Sequence, residues 1–549
     1  MNINTGKFAI RTIAAGFVAI TIVVLGASLP VLSQVPSLIY SFDAADNGIY
    51  GPFPASVMAQ GRDGNLYGTT DSGGINNVGG VFMVTPLGAE TTLHVFSTAE
   101  GQHCNMGLTL GNDGNFYGAC YDGVTSNEGE VYEITPSGVL TILHSFTNTG
   151  GDGASPNAPP IQASDGNFYG TTIGGGANGD GTIYKMTPNG NVTILHSILY
   201  PAEGGSPATA LVQASDGNLY GTTEEGAVIF RITGAGKFTV LHTFAVTGDG
   251  ALPLGALIQG KDGSLYGTTQ LDGTNAEGTV FKLTPAGAFS VLESFNAASD
   301  GQGDPWVGLV QATDGNFYGV TFRFGLPLKN QYGGIYKITS KGVYSSLYLF
   351  DGTVGANPAS ALIQHTNGLL YGNAQNNGGF DVGSVYSVNV GAAPFCSLLM
   401  SSGKIGATIG VLGQGFTSSS VVRFGGVKAS VVTLMGSTYV SAAVPAGALS
   451  GSVTVTTGTS KLTGKQAFRV TPMIKTFSPP SGPIGTNVTI TGSGLTQATK
   501  VMFNGTSASF VVDSDTQVTA TVPVGATTGK ISVVTIGGSA STAANFTVI

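Results

Sequence analysis

The octapeptide DGNLYGTT at residues 63–70 is the first of seven copies of one motif, and this repetition decides the fold. The other copies are DGNFYGAC at 113–120, DGNFYGTT at 165–172, DGNLYGTT at 216–223, DGSLYGTT at 262–269, DGNFYGVT at 314–321 and NGLLYGNA at 367–374. Their first residues follow one another at intervals of 46 to 53 residues. A nearly fixed period of this length is typical of repeat architectures.

Each repeat contains four short runs that we interpret as strands A to D. Examples are ALVQAS at 210–215 (A), LYGTT at 219–223 (B), GTIYKMTPNG at 181–190 (C, with the turn that follows it) and TILHSF at 141–146 (D). Runs of β-branched and aromatic residues bounded by Gly, Pro, Asn or Asp predict strands. The Asp-Gly between runs A and B predicts a hairpin turn. Four antiparallel strands in about 40–50 residues are typical of a β-propeller blade, so the seven copies predict a seven-bladed ring.

The two ends of the repeat region are complementary. A D-type run, SLIYSF at 37–42, precedes the first motif, and the last C-type run, GSVYSVNVG at 383–391, has no D-type run after it. We expect the N-terminal run to complete the seventh blade and so remove exposed strand edges. A solenoid is the alternative, but a solenoid would not need these matching ends.

The last third of the chain, rich in Ser, Thr, Val and Gly, has alternating strands with frequent turns, which predicts immunoglobulin-like sandwiches. Residues 472–549 resemble the IPT/TIG family at Pro479, Ser481, Gly482, Gly485, 488–492, Gly494, Leu495, 501–505, Val522 and Pro523. Residues 393–471 resemble a degenerate copy at Ser402, Gly403, Gly406, Gly413, Gly415, Phe416, 422–425, Val444 and Pro445. In secreted proteins this resemblance implies binding modules, spacers or stalks.

The repeats themselves resemble the GloVer tandem repeat of exported bacterial proteins, because the YGTT-containing motif recurs with that family's period. This resemblance implies a secreted or surface location. The predicted organisation is a signal peptide at 1–34, a propeller at 35–392, a degenerate IPT/TIG-like sandwich at 393–471 and an IPT/TIG sandwich at 472–549.

Composition narrows the class of protein. Only 9% of the 549 residues are charged, the net charge is −9 and hydrophobic residues make up 42%. Regular strand patterns with this hydrophobic content exclude a disordered chain. The absence of a Lys/Arg cluster removes the electrostatic footprint of a nucleic-acid-binding protein, so no nucleic-acid partner is expected.

The N-terminus predicts export. Lys7 and Arg11 precede an uncharged stretch at 12–34, and Ser33 offers a cleavage point. We expect cleavage, which leaves a secreted or cell-surface protein without an integral membrane domain. An uncleaved anchor is the alternative, since the stretch could span a bilayer.

Cys104 and Cys120 are candidate disulfide partners. At the position of Cys104, nine residues before the motif, the other six blades carry Pro. At the position of Cys120, the last residue of the motif, most blades carry Thr. Both exceptions therefore fall in one hairpin. A regular hairpin would place Cys120 opposite residue 107, and a bond to Cys104 therefore needs a local bend. Cys396 lies alone near a domain junction, and we expect it to be buried.

Other chemically suggestive residues have structural explanations. The D-strand histidines, which are His94, His144, His196 and His242, fall on separate blades and cannot share one metal. The motif aspartates suit turn stabilisation better than a calcium loop, which needs several oxygen ligands at close spacing. No catalytic motif is recognisable, catalytic residues stay unknown, and we expect no cofactor and no metal.

The face formed by the B–C and D–A loops varies most and is the predicted ligand face. The B–C loop of blade 4 contains little more than Glu224 and Glu225, whereas that of blade 6 is long and contains Arg323 and Lys329. Trp306, the single Trp of the chain, lies in blade 6 close to Asp304. An aromatic ring beside cations could hold a sugar or an anionic group. Alternatively, Trp306 fills a gap between blades and the cations are solvated.

Two functional hypotheses follow. The first is a secreted or surface-exposed non-catalytic binding or structural protein, with an unidentified glycan or protein as ligand and the sandwiches as spacer or adhesion modules. The alternative is an extracellular enzyme that acts on polysaccharide through acidic residues of the variable face, such as Glu224 or Asp304.

Overall fold

The computed structural model describes residues 34–42, 56–71, 73, 78–123, 127–245, 248–296, 303–322, 332–376 and 383–549. All of the helix or strand structure in these residues is β-strand. The predicted signal peptide, apart from Gln34, lies outside the described residues, and so do Arg323 and Lys329. Within the described residues, no helix has the length and apolar character needed to cross a bilayer.

Seven four-stranded antiparallel sheets form the propeller, each with its strands in the order A to D. The strands of the first three blades, with the N-terminal strand first, are β1 (Ser37–Ser41), β2 (Ala59–Gln60), β3 (Leu66–Thr70), β4 (Gly80–Val84), β5 (Glu90–Val95), β6 (Thr109–Leu110), β7 (Phe116–Cys120), β8 (Glu130–Ile134), β9 (Leu140–Ser145), β10 (Gly153–Ala154), β11 (Ile161–Gln162), β12 (Phe168–Thr172), β13 (Gly174–Gly175), β14 (Thr182–Met186) and β15 (Val192–Ser197). Strands β10 and β13 form a small extra ribbon in the loops of blade 3.

The remaining blades repeat the same order. Their strands are β16 (Val212–Gln213), β17 (Leu219–Thr223), β18 (Val228–Ile232), β19 (Phe238–Thr243), β20 (Ile258–Gln259), β21 (Leu265–Thr269), β22 (Thr279–Leu283), β23 (Phe289–Ser294), β24 (Val310–Gln311), β25 (Phe317–Thr321), β26 (Gly334–Ile338), β27 (Tyr344–Leu349), β28 (Ile363–Gln364), β29 (Leu370–Ala374) and β30 (Ser384–Val388). The sequence predicted a seven-bladed propeller, and this topology agrees with it.

The repeated motif is the A–B turn together with strand B. In blade 1, Asp63 Oδ1 accepts a hydrogen bond from the Asn65 N–H (3.1 Å), and Asp63 Oδ2 accepts one from the Tyr67 hydroxyl (2.8 Å). The Tyr67 ring then stacks on Phe116 of the next blade at 4.1 Å between ring centres. The motif aspartate thus stabilises a turn, as the sequence predicted, and the tyrosine packs between blades.

The glycine after each motif tyrosine lies beneath an aromatic ring of strand C. Gly68 pairs with Phe82 in the β3–β4 ladder, and a Cβ at Gly68 would lie 2.5 Å from the Phe82 ring. Gly267 stands in the same relation to Phe281. Only a residue without a Cβ leaves room for the buried ring, which explains why the YG pair recurs in all seven copies.

The ring closes through the N-terminal strand. Strand β1 pairs antiparallel with β30 and supplies the fourth strand of blade 7, which confirms the predicted closure. Phe42 is buried there and packs edge-on against Phe82 of blade 1 at 5.1 Å. Across the same seam, Asn373 Nδ2 donates a hydrogen bond to the Ser56 carbonyl (3.0 Å).

Two sandwiches follow the propeller, each with a four-stranded and a five-stranded sheet. The strands of the first are β31 (Ser397–Leu398), β32 (Ser402–Gly403), β33 (Thr408–Leu412), β34 (Val421–Phe424), β35 (Val427–Lys428), β36 (Ser430–Met435), β37 (Tyr439–Ala443), β38 (Gly451–Thr457) and β39 (Ser460–Val470). Those of the second are β40 (Met473–Ser478), β41 (Ser481–Gly482), β42 (Asn487–Ser493), β43 (Ala498–Phe503), β44 (Thr506–Ala508), β45 (Phe510–Ser514), β46 (Gln517–Thr521), β47 (Gly529–Thr535) and β48 (Gly538–Val548). Alternate residues of these strands fill each core, such as Val422 and Phe424 in the first sandwich and Val501 and Phe503 in the second.

Candidate functional site

A belt of glutamines fixes the A–B turns around the propeller channel. Gln162 Oε1 accepts a hydrogen bond from the Asn112 N–H of the preceding blade (2.8 Å), and Gln162 Nε2 donates to the Gly166 carbonyl of its own turn (2.9 Å). The same two bonds are made by Gln213, Gln259 and Gln311. Blade 2 has Leu110 at this position, and there the Arg62 guanidinium bridges to the Asn112 carbonyl instead.

Strand A and the residues before it surround a cavity of about 1220 Å³. Its middle wall consists of aliphatic side chains from one equivalent position in five blades, which are Ile161, Val212, Ile258, Val310 and Ile363. Thr109 is the polar exception in blade 2. Since aliphatic groups only offer an apolar surface, this part of the wall suits the apolar body of a ligand.

Trp306 lines the cavity at the end of strand A remote from the A–B turn, with Asn105 and Asn157 at the equivalent positions of blades 2 and 3. The Trp306 ring packs against Phe322 at 4.6 Å between ring centres, yet 36% of the residue is exposed. Trp306 thus packs against a residue of its own blade and also presents a surface to the cavity, and its role in ligand binding stays a prediction.

The first sandwich lies against the A–B turns and contributes the other end of the cavity. Lys465, Gln466 and Arg469 of β39 belong to the lining. Thr438 Oγ1 donates a hydrogen bond to the Arg62 carbonyl (2.7 Å), and the Arg62 guanidinium lies 4.6 Å from the centre of the Tyr439 ring. A side-chain hydrogen bond from Gln414 to Thr366 (2.8 Å) adds to this contact. We call this end, lined by Lys261, Lys465 and Arg469, the basic end of the cavity.

Electrostatics at the basic end are unusual. Burial, together with the positive charge of Lys261, lowers the pKa of Lys465 to about 8. Burial also lowers the pKa of Arg469, and the charge of Asp216 opposes this shift only partly.

The acidic residues singled out from the sequence do not line this cavity. Glu224 and Glu225 lie exposed between β17 and β18, where the Glu225 backbone pairs with Gly205. The Asp304 N–H donates a hydrogen bond to the Glu277 carbonyl (2.9 Å). Burial raises the pKa of Glu277, and the negative charge of Asp304 raises it further. The structure thus brings Asp304 to Glu277, a partner that sequence reasoning missed.

The four D-strand histidines each lie close to a carboxylate of the following loop. The Nε2 to oxygen distances are 3.2 Å for His94–Glu100, 3.5 Å for His144–Asp152, 2.7 Å for His196–Glu203 and 3.3 Å for His242–Asp249. These pairs lie within single repeats, as a structural role requires. Among the described residues, no group of three or more His, Cys, Asp or Glu side chains is arranged to hold a metal ion.

Cys104 and Cys120 are joined by a disulfide, with a Cα–Cα distance of 3.8 Å. The pairing register shifts between Thr109↔Tyr117 and the isolated bridge Gln102↔Asp122, and this shift is the local bend that the sequence required. Cys396 is a buried free thiol, and burial raises its pKa to about 12.

Comparison with known proteins places the chain in a family. The Gloeobacter/Verrucomicrobia repeat matches residues 33–161, 141–305 and 257–410, and the IPT/TIG domain matches residues 472–548. None of the curated proteins compared with the chain matches it.

Several solved structures are similar at low sequence identity. A streptogramin B lyase is 15% identical over 65% of this chain and 97% of its own (TM-score 0.44). A catalytically inactive virginiamycin B lyase from Staphylococcus aureus with quinupristin is 14% identical over 64% and 98% (TM-score 0.45). The extracellular domain of a hybrid two component system from B. thetaiotaomicron is 11% identical over 91% and 65% (TM-score 0.43). On the strength of the repeat matches, which span more than half of its length, the chain belongs to the Gloeobacter/Verrucomicrobia repeat family.

Proposed function

We propose that the protein is an extracellular, non-catalytic binding protein whose propeller channel takes a ligand. In this proposal the first sandwich completes the binding cavity, and the second serves as a spacer or adhesion module. The observation that carries the proposal is the cavity of about 1220 Å³, lined jointly by the propeller strands and β39.

The character of the cavity supports binding. Small-molecule sites are concave, mostly apolar and fixed by a few polar groups, with volumes of roughly 300–1,000 Å³. Here an aliphatic middle wall lies between Trp306 and two asparagines at one end and two lysines and an arginine at the other. The cavity is large enough for a ligand of several rings or a long chain.

An extracellular location is supported by two features. The sequence of residues 1–34 has the pattern of an export signal. The Cys104–Cys120 disulfide suits an oxidising compartment, where such bonds persist.

The test is a ligand screen against the full chain, with glycan arrays and amphiphile panels, followed by Trp306→Ala. If the ligand contacts the ring, this change should weaken binding by about 1–3 kcal/mol, as aromatic contacts in binding sites do. Val343→Ala, which removes an exposed apolar side chain from the C–D turn of the same blade, is the matched control. Full affinity in a folded Trp306→Ala protein for every ligand found would place binding outside the channel.

An extracellular enzyme that acts on polysaccharide is the second candidate, and the Glu277–Asp304 contact is the observation that favours it. Two neighbouring carboxyl groups, one with a raised pKa, are what general acid catalysis uses. Turnover assays on polysaccharides should therefore include Glu277→Gln and Asp304→Asn, with Asp513→Asn as control, because Asp513 is exposed on the second sandwich. Turnover that is present in the wild type and in the control but lost in both folded variants would replace the binding proposal.

A further inference from the structure

Three cations line the basic end of the cavity. Lys261 comes from the A–B turn of blade 5, whereas Lys465 and Arg469 come from β39 of the first sandwich. The whole chain has only 21 Lys and Arg residues and a net charge of −9. Neither composition nor any single domain accounts for this concentration of positive charge, because it forms only where the two domains meet.

The three cations lack a directly bonded carboxylate, although the charge of Asp216 acts on Arg469. Within the part of the chain that the structure describes, none of the three takes part in an ion pair. Lys261 Nζ donates to the Thr313 carbonyl (3.2 Å), and Lys465 Nζ lies 5.8 Å from the centre of the Phe395 ring. Cationic side chains that face a cavity without a directly bonded carboxylate can form charge-assisted hydrogen bonds to a ligand, so the basic end is suited to receive an anion.

The rest of the cavity restricts which anion fits. The wall of blade 6 runs from Trp306 past Val310 to Gln311, which lies just before the A–B turn. Along this stretch the cavity wall presents Val310 and its aliphatic equivalents. A small polar anion would leave this apolar surface uncovered, whereas a ligand with an apolar body would cover it.

We propose that the channel binds an amphipathic anion, with its carboxylate, sulfate or phosphate head at Lys261, Lys465 and Arg469. The apolar body lies against the aliphatic wall and extends towards Trp306. This inference rests on the proposed function and names the ligand class of the same cavity. All ligands of this class share a negatively charged head group on an apolar body.

The experiment uses the single Trp of the chain as a reporter, since Trp306 lines the cavity. Fluorescence and isothermal titration calorimetry of the full chain are measured with dodecanoate, dodecyl phosphate, dodecan-1-ol and acetate, all below micelle-forming concentrations. At least one of the two charged amphiphiles should bind and shift the Trp306 emission. Dodecan-1-ol should bind at least about tenfold more weakly, because it cannot form the charge-assisted hydrogen bonds of the head group.

Lys465→Met isolates the head-group contact, because Met retains most of the unbranched stem and loses the charge. We expect it to weaken binding of the charged amphiphile about tenfold or more and to leave dodecan-1-ol unchanged. Lys461→Met on the same strand is the control, since Lys461 is exposed and does not line the cavity.

The outcomes separate the two proposals. Equal affinity for the alcohol and the anions, or unchanged anion affinity in a folded Lys465→Met protein, overturns the anion proposal and leaves the channel as a binding site. Tight binding of acetate alone also overturns it, because the apolar body would then contribute nothing. If no amphiphile produces either heat or an emission shift, the anion proposal fails, and the channel site of the proposed function loses its support from this ligand class.

Discussion

His365 is a single residue that ties the last blade to the first. It is buried, its Nε2 donates a hydrogen bond to the Gly64 carbonyl of blade 1 (2.9 Å), and its Nδ1 accepts one from the Asn367 N–H (3.1 Å). These bonds fix the neutral tautomer, since Nδ1 has no room for a proton of its own. Burial lowers the pKa of His365 more than the two hydrogen bonds raise it.

The stability of the seam should therefore depend on pH. A histidine whose pKa is lower in the folded state contributes fully above its unfolded-state pKa of about 6.5 and loses that contribution as the pH falls below it. His365→Ala, which puts the residue of blades 3, 4 and 6 at this position, should cost about 1–3 kcal/mol at pH 7.5 and flatten the loss of stability between pH 7 and 5. Urea denaturation at several pH values measures both effects. The exposed His103→Ala is the control, and a pH profile of His365→Ala parallel to the wild type would contradict this account.

At the scale of one hairpin, the Cys104–Cys120 disulfide links the loop before β6 to the end of β7. The sequence separation is 16 residues, for which loop-closure entropy predicts about 3 kcal/mol of stabilisation. Mass spectrometry after alkylation should find no labelled thiol in the native protein and one after denaturation without reductant, because Cys396 is buried. Denaturation with reductant should label all three. Labelling of Cys104 and Cys120 in native, unreduced protein would show that the bond does not form.

Strand β1 is the element that closes the ring, and its removal should be costly. Deleting residues 37–42 would expose the edge of β30 and remove the Phe42 ring from the core between blades 7 and 1. We expect a lower melting temperature, measured by differential scanning fluorimetry, and aggregation through the free edge, measured by size-exclusion chromatography. Leu38→Ser on the exposed side of the same strand should leave both nearly unchanged. A truncated chain that melts like the full one would mean that the ring closes without β1.

Much of this element-scale structure could be predicted because its determinants recur close together in the sequence. Asp63, Gly68 and their equivalents lie within one octapeptide, so turn, strand and packing are repeated seven times. The glutamine belt was visible in runs such as ALVQAS, but its partners lie in the neighbouring blade. The basic end could not be predicted, because Lys261 and Lys465 approach each other only through the docking of two domains.

At the scale of the whole molecule, the cavity depends on how the first sandwich is held against the propeller. Arg62 is central to this contact, because its carbonyl accepts the Thr438 hydroxyl and its guanidinium lies over Tyr439 while it also bridges to blade 2. A partly buried cation–π contact is worth about 1–2 kcal/mol, and a hydrogen bond from a charged donor about 1.5–3 kcal/mol. Domain contacts of this kind are the usual place where a multidomain chain comes apart.

Arg62→Met should therefore loosen the sandwich while each domain keeps its own core. We expect denaturant unfolding to separate into two transitions and protease cleavage to increase between residues 389 and 396. Any ligand that depends on Lys465 should bind more weakly, although Arg62 itself does not line the cavity. Arg423→Met is the matched control, because among the described residues the Arg423 guanidinium bonds only to the Gly426 carbonyl of its own hairpin. The comparison of Arg62→Met with this control distinguishes a sandwich that completes the cavity from one that is merely attached to the propeller. If the Arg62→Met protein matches the control in its unfolding curve, its protease resistance and its ligand affinity, the propeller holds its ligand without help from the sandwich.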